Sequence, residues 1–245
     1  MKYLPVFLLI GGAVLISLVG FIIFNLRSRA PEASKGKEEV VKELSIDETP
    51  YVTLTPNSVG NKLVLKISKI PPSVSVIEYE LVYNTAANVT QGVPGSVDVE
   101  GKTTLDRELA LGTCSSGVCR YDKGVKDVKL SLKLKDSKSK LVAKFSTLVE
   151  FLTGATSLTH SGGKFSLILD KKGSGYYTVM ETYGLPGKAP GSVSSGPYGV
   201  FTSGNSKQGG TITLSGGIIY QWEPNSWKEV SGGKVKTPGT FIAVQ

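Results

Sequence analysis

The chain is short of the residues that most often do chemistry. Its 245 residues include one histidine and two each of cysteine, methionine and tryptophan. One His and two Cys cannot build a Cys/His zinc site without carboxylates or a second chain. A Ser/His/Asp triad would have to run through His160 alone. Ser-x-x-Lys occurs at Ser161–Lys164 and again at Ser231–Lys234, a spacing used by penicillin-binding enzymes. Those enzymes also need Ser-Asp-Asn and Lys-Thr-Gly; the first is missing here, and Pro238 interrupts the second at Lys236-Thr237-Pro238-Gly239. The close carboxylate pairs, Glu78/Glu80 and Asp98/Glu100, sit two apart on strand-like segments. That spacing puts both on one face, whereas catalytic pairs flank a bond across a cleft. No catalytic residue, metal ligand or cofactor is therefore expected, and the chain is read as a non-enzyme.

One long apolar run is present. Leu4 to Leu26 is 23 residues without a charge, bounded by Lys2 on one side and by Arg27 and Arg29 on the other. As a helix it would extend about 30–35 Å, enough to cross a bilayer. A cleaved signal peptide, the competing reading, would have an apolar core of about 7–15 residues and a small-x-small site after it. The expected organisation is a tail over 1–3, a transmembrane helix over 4–26 and a charged stalk over 27–50. Five basic and six acidic residues leave that stalk near neutral. Flanking charge alone slightly favours a cytoplasmic C-terminal part. Long domains translocate largely regardless of such charge, and closely spaced cysteines suit an oxidising compartment. The expected location is a single-pass protein of the cell membrane with its C-terminal part outside the cytoplasm.

Beyond Pro50 the apolar period becomes two. Leu63, Leu65 and Ile67 alternate with Lys62, Val64 and Lys66; Val128, Leu130, Leu132 and Leu134 alternate with Lys129, Ser131, Lys133 and Lys135. Alternation of this kind predicts half-buried antiparallel strands. Further runs at 51–55, 77–83, 96–100, 104–111 and 141–151 make about seven strands across 51–152, separated by Pro/Asn/Ser/Gly turns. Seven short strands in about 100 residues predict a β-sandwich. Composition shifts near Gly154: 18 of the 93 residues from Thr153 onward are glycine, against 11 in the 152 before. Residues 153–245 are read as a second, Gly-rich β-domain. The expected fold class is an all-β ectodomain of two β-sandwich-like modules behind one N-terminal transmembrane helix.

In its strand count, the stretch 51–152 resembles a fibronectin type III or immunoglobulin-like surface module. The resemblance is architectural, since the Cys…Trp…Cys core of immunoglobulin domains is missing. It implies a fold and no activity.

Three features are candidates for function. Cys114 and Cys119 enclose Ser-Ser-Gly-Val, and a local disulfide is geometrically possible; a structural clip, a redox pair and a reduced pair are the readings it allows. Nine Lys/Arg between Arg120 and Lys144 include Lys129, Lys133 and Lys135 on one face of one strand. They form either a docking face for an anionic polymer or a protected, soluble sheet surface. Tyr220 and Trp227 flank the turn at 223–226 and could pack against a sugar ring or a partner protein. The expected role is adhesion, envelope binding or scaffolding, with a carbohydrate- or anionic-polymer-binding module as the alternative. Partners are then the lipid bilayer and an envelope polysaccharide or another surface protein. Nucleic acid is not expected, because the basic stripe lacks interleaved aromatics.

Overall fold

The computed structural model describes residues 44–204 and 207–245. The expected membrane span and the stalk up to residue 43 lie outside them. Among the described residues no helix is long and apolar enough to cross a membrane.

The fold is all-β. Strands β1 (Tyr51–Pro56), β2 (Lys62–Ser68), β3 (Val76–Asn84), β4 (Thr90–Asp98) and β5 (Thr104–Ala110) are followed by a short hairpin, β6 (Gly112–Ser115) and β7 (Val118–Tyr121). Then come β8 (Lys126–Lys135), β9 (Leu141–Thr153), β10 (Ser157–Thr159), β11 (Phe165–Leu169), β12 (Tyr176–Glu181) and β13 (Val193–Thr202). The chain closes with β14 (Gly210–Leu214), β15 (Ile218–Glu223), β16 (Ser226–Glu229), β17 (Lys234–Val235) and β18 (Thr240–Val244). The expected alternation is observed where the pattern was cleanest. Val128, Leu130, Leu132 and Leu134 are buried on β8 while Lys129 and Lys133 between them are exposed.

All strand pairs are antiparallel, and several sheets result, consistent with a β-sandwich architecture. A nine-stranded sheet runs in the order β16-β15-β18-β13-β12-β9-β8-β3-β4. A three-stranded sheet, β1-β2-β5, and a four-stranded sheet, β10-β11-β14-β17, cover parts of it. One core joins Leu54, Leu65 and Leu109 of the three-stranded sheet to Leu81, Leu130 and Met180 of the long one. A second joins Leu167 and Ile212 of the four-stranded sheet to Val179, Val200 and Phe241. Val179 and Met180 are consecutive on β12 yet belong to different cores. Successive side chains on a strand point to opposite faces. The two cores therefore lie on opposite faces of the long sheet, and β12 is covered on both: Tyr177, Thr178, Val179 and Met180 are all buried. β18 is likewise buried throughout, with Phe241 and Ala243 in the second core and Ile242 and Val244 in a smaller third.

The composition shift after residue 152 falls at the end of β9, and the long sheet continues across it through the β9–β12 pairing. β1 adds further ties. Val52 N–H donates to the Thr182 carbonyl and Gly184 N–H to the Pro50 carbonyl, each at 3.0 Å. The Tyr51 hydroxyl meets Thr240 Oγ1 at 2.7 Å.

One local expectation differs from what forms. A strand was expected at 96–100, but β4 covers Thr90–Asp98 in spite of Gly92, Pro94 and Gly95. It lies at the sheet edge, where the missing N–H of Pro94 costs no ladder bond. The segment around the cysteines folds back on itself as a paired hairpin in register Cys114↔Cys119.

Candidate functional site

The hairpin β6–β7 stands apart as a two-stranded sheet of its own. Its tip residues, Ser116 and Gly117, have φ of 50° and 80°. Two successive positive φ values are what a two-residue turn needs to match the right-handed strand twist. Cys114 and Cys119 face each other across the ladder, 4.0 Å apart at Cα, and are joined by a disulfide. Almost nothing of this hairpin is buried, and Val118 is 71% exposed. An isolated two-stranded hairpin is marginal in water. The staple therefore maintains the shape of a surface projection.

At the base of the projection lies a cleft of about 550 Å³. It is bounded by the β1–β2 turn (Val59, Gly60, Asn61), the segment after the hairpin (Tyr121 to Val125), the end of β9 (Phe151 to Thr153) and Tyr176 at the start of β12. Phe151 and Tyr176 point to the same face from adjacent strands, and their rings stack at 5.6 Å between centroids with 14° between planes. Gly60, at φ +73°, lies directly against Tyr176: a Cβ there would come within 2.2 Å of the ring. Only glycine permits this approach, and it wedges the ring in place.

The polar groups around the cleft are held as firmly. The Asn57 amide nitrogen donates to Asn61 Oδ1 at 2.8 Å, and the Asn61 N–H donates to Asn57 Oδ1 at 3.0 Å. That reciprocal pair leaves the Asn61 Nδ2 hydrogens without a protein acceptor among the described residues. The Tyr83 hydroxyl donates to Asp122 Oδ2 at 2.8 Å, and the Asp122 N–H donates to the Leu111 carbonyl at 2.9 Å. Burial, and then the neighbouring Asp122 carboxylate, push the Tyr83 phenol far above its ordinary range, so it remains a proton donor. Asp122 Oδ1 and Lys123 Nζ have no protein partner among the described residues.

Lys129, Lys133 and Lys135 do share one face, the side of β8 left uncovered by the three-stranded sheet. Lys135 pairs with Glu78, and that ammonium holds the Glu78 carboxyl below its usual range. Glu78, Glu80, Pro94, Ser96, Ser131 and Lys133 line an open depression of about 480 Å³ on this face. Tyr220 and Trp227 are half-buried and pack against the third core. The Trp227 indole N–H donates to the Gly187 carbonyl at 3.2 Å, and its ring meets Trp222 edge-on at 5.2 Å. Gln221, which the sequence did not single out, is the buried residue of β15, and its amide nitrogen donates to the Thr237 carbonyl at 2.9 Å. His160 is buried beside Tyr198, 5.3 Å between ring centroids, and its Nδ1 accepts from Gly162 N–H at 3.3 Å. Its Nε2 has no hydrogen-bond partner among the described residues. Among the described residues no three metal-ligating side chains converge.

Sequence reading missed the cleft because its walls come from four separated segments, each unremarkable alone. The one local signal was the density of aromatic and Asn/Asp residues at strand ends. Comparison with known protein families, with curated protein sequences and with solved structures returns no match for this chain.

Proposed function

We propose that the chain is a single-pass membrane protein that displays its all-β body, built of fibronectin III- or immunoglobulin-like modules, on the extracytoplasmic side of the cell membrane. There it acts without catalysis, in adhesion, envelope binding or scaffolding. The observation that carries this reading is the disulfide between Cys114 and Cys119 on an exposed hairpin. An unshielded disulfide in a reducing cytosol would be open to reduction, and it persists outside. The uncharged run over 4–26 supplies the anchor and the stalk up to residue 43 the spacer, since Leu44 and Ile46 already pack against the body. The partners of this reading are the bilayer and an envelope polysaccharide or a second surface protein.

The alternative, a carbohydrate- or anionic-polymer-binding module, is favoured by two surfaces: the aromatic cleft beside the hairpin and the lysine face of β8. The test of the anchored, exported state uses intact cells. A membrane-impermeant thiol reagent should label Cys114 and Cys119 only after reduction, and an alkaline carbonate wash should leave the chain with the membrane. Release into the supernatant, or labelling only after lysis, refutes the reading.

A further inference from the structure

We propose that the cleft beside the stapled hairpin is a glycan-binding site, with the exposed Tyr121 ring as its sugar-stacking surface, the Phe151–Tyr176 pair as its apolar floor and Asn61, Asp122 and Lys123 as its hydroxyl-recognition groups. The inference deepens the binding reading above and depends on it only for compartment.

A pyranose ring has an apolar C–H face and a rim of hydroxyls that both donate and accept. A complementary site therefore needs an aromatic surface beside unspent donors and acceptors. The cleft has that combination. Tyr121 is exposed at the rim, and Phe151 and Tyr176, stacked on each other and half-buried, supply the apolar floor. Asn61 offers an unpaired amide N–H₂, Asp122 an unpaired carboxylate oxygen and Lys123 an unpaired ammonium. Its volume of about 550 Å³ lies within the range of roughly 300–1,000 Å³ usual for small-ligand sites.

Other ligand classes fit less well. A wholly apolar ligand would cover the unpaired Asp122 Oδ1 and the Asn61 amide without replacing their water, at a cost of about 1–3 kcal/mol each. A polyanion would meet the Asp122 carboxylate and only one lysine, whereas phosphate-backbone binding draws on several cations.

All of these groups but Lys123 are also ordered before any ligand arrives. Gly60 wedges Tyr176, the Asn57–Asn61 pair orients the Asn61 amide, and Tyr83 fixes Asp122. The disulfide holds β7, whose last residue is Tyr121, against its partner strand. Pre-ordering of this kind removes part of the entropy cost of binding a polar ligand. The hairpin staple thus serves the site, and its reduction should weaken binding.

The test uses the purified full-length chain in a detergent without a sugar headgroup. It is applied to immobilised oligosaccharides of neutral hexoses, N-acetylated hexosamines and uronic acids, with titration calorimetry on the glycans retained. At least one glycan should bind. Tyr121→Ala and Lys123→Ala, exposed changes that leave the thermal midpoint in place, should each weaken it about fivefold or more. Tyr176→Ala should abolish detectable binding, and reduction of the disulfide should weaken it several-fold. Lys129→Ala with Lys133→Ala should change nothing. Three results overturn the proposal: retention of no glycan by the unmodified chain, binding that survives the Tyr121→Ala/Lys123→Ala double change, or salt-sensitive binding of uronic chains alone that is lost with Lys129 and Lys133. None of these would disturb the anchored, exported reading, which stands or falls on labelling and carbonate extraction.

Discussion

Replacing Leu130 by alanine tests whether the long sheet makes the two cores unfold together. Leu130 is fully buried on β8, opposite Leu81 on one side and Thr147 on the other. A leucine-to-alanine change at such a site costs about 2–5 kcal/mol from lost burial and the cavity left behind. Taking about 3 kcal/mol, a body of roughly 200 residues should lose about 6–12 °C in its unfolding midpoint. The only tryptophans, Trp222 and Trp227, lie on β15 and β16, at the far end of the same sheet and outside the first core. Their fluorescence reports that end alone, while far-UV circular dichroism reports every strand. β12, buried on both faces, and β1, bonded to Thr182 and Thr240, couple the cores. The expected outcome is one transition by both measures, displaced equally by Leu130→Ala, as two-state unfolding requires. A fluorescence midpoint that stays in place while the dichroism midpoint falls would refute the coupling and leave the halves as independent domains.

Three further outcomes are expected. Replacing Cys114 and Cys119 by serine opens a loop of five-residue separation, worth up to about 2 kcal/mol by chain entropy; amide exchange across β6 and β7 should accelerate about 30-fold, and unchanged exchange would mean the hairpin needs no staple. Burial raises the phenol pKa of Tyr51, Tyr83, Tyr183 and Tyr198. Both states hold these protons below about pH 10, whereas above it the unfolded chain loses them first. Stability should therefore be flat on this account up to about pH 10 and fall beyond it, so equal urea midpoints at about pH 8 and about pH 11 would contradict the burial of these rings. Trp227→Phe removes the indole bond to the Gly187 carbonyl and should cost about 1 kcal/mol, read as a lower urea midpoint; no loss would leave that bond without energetic weight.

Legibility from sequence followed local periodicity. On β2 and β8 one face meets a core and the other meets water, so the burial pattern is written directly in Leu63, Leu65, Ile67 and in Val128 to Leu134. On β12 and β18 both faces are covered, so alternation disappears; Tyr177-Thr178-Val179-Met180 says only that the segment is buried. β4 was misplaced because glycine and proline read as turn residues, whereas a sheet edge tolerates them. Trp227 sits beside a turn, where aromatic residues are often exposed, and in the structure it is half-buried. Its bond to Gly187 depends on a segment 40 residues away, which local pattern cannot show.

The candidate site divides in the same way. The cysteine spacing pointed to a local staple, since a short loop containing glycine can fold back on itself whatever surrounds it. The cleft depends on where the β1–β2 turn, the hairpin base, β9 and β12 end relative to one another, and that is a property of sheet order and register. Composition and period alone thus determined the all-β character of the described residues, because it follows from the chemistry of near neighbours. Only the tertiary structure decided that two cores share one sheet on opposite faces, and that Phe151, Tyr176, Asn61 and Asp122 meet. Contacts between residues distant in the chain are set by which strands pair and by what covers them.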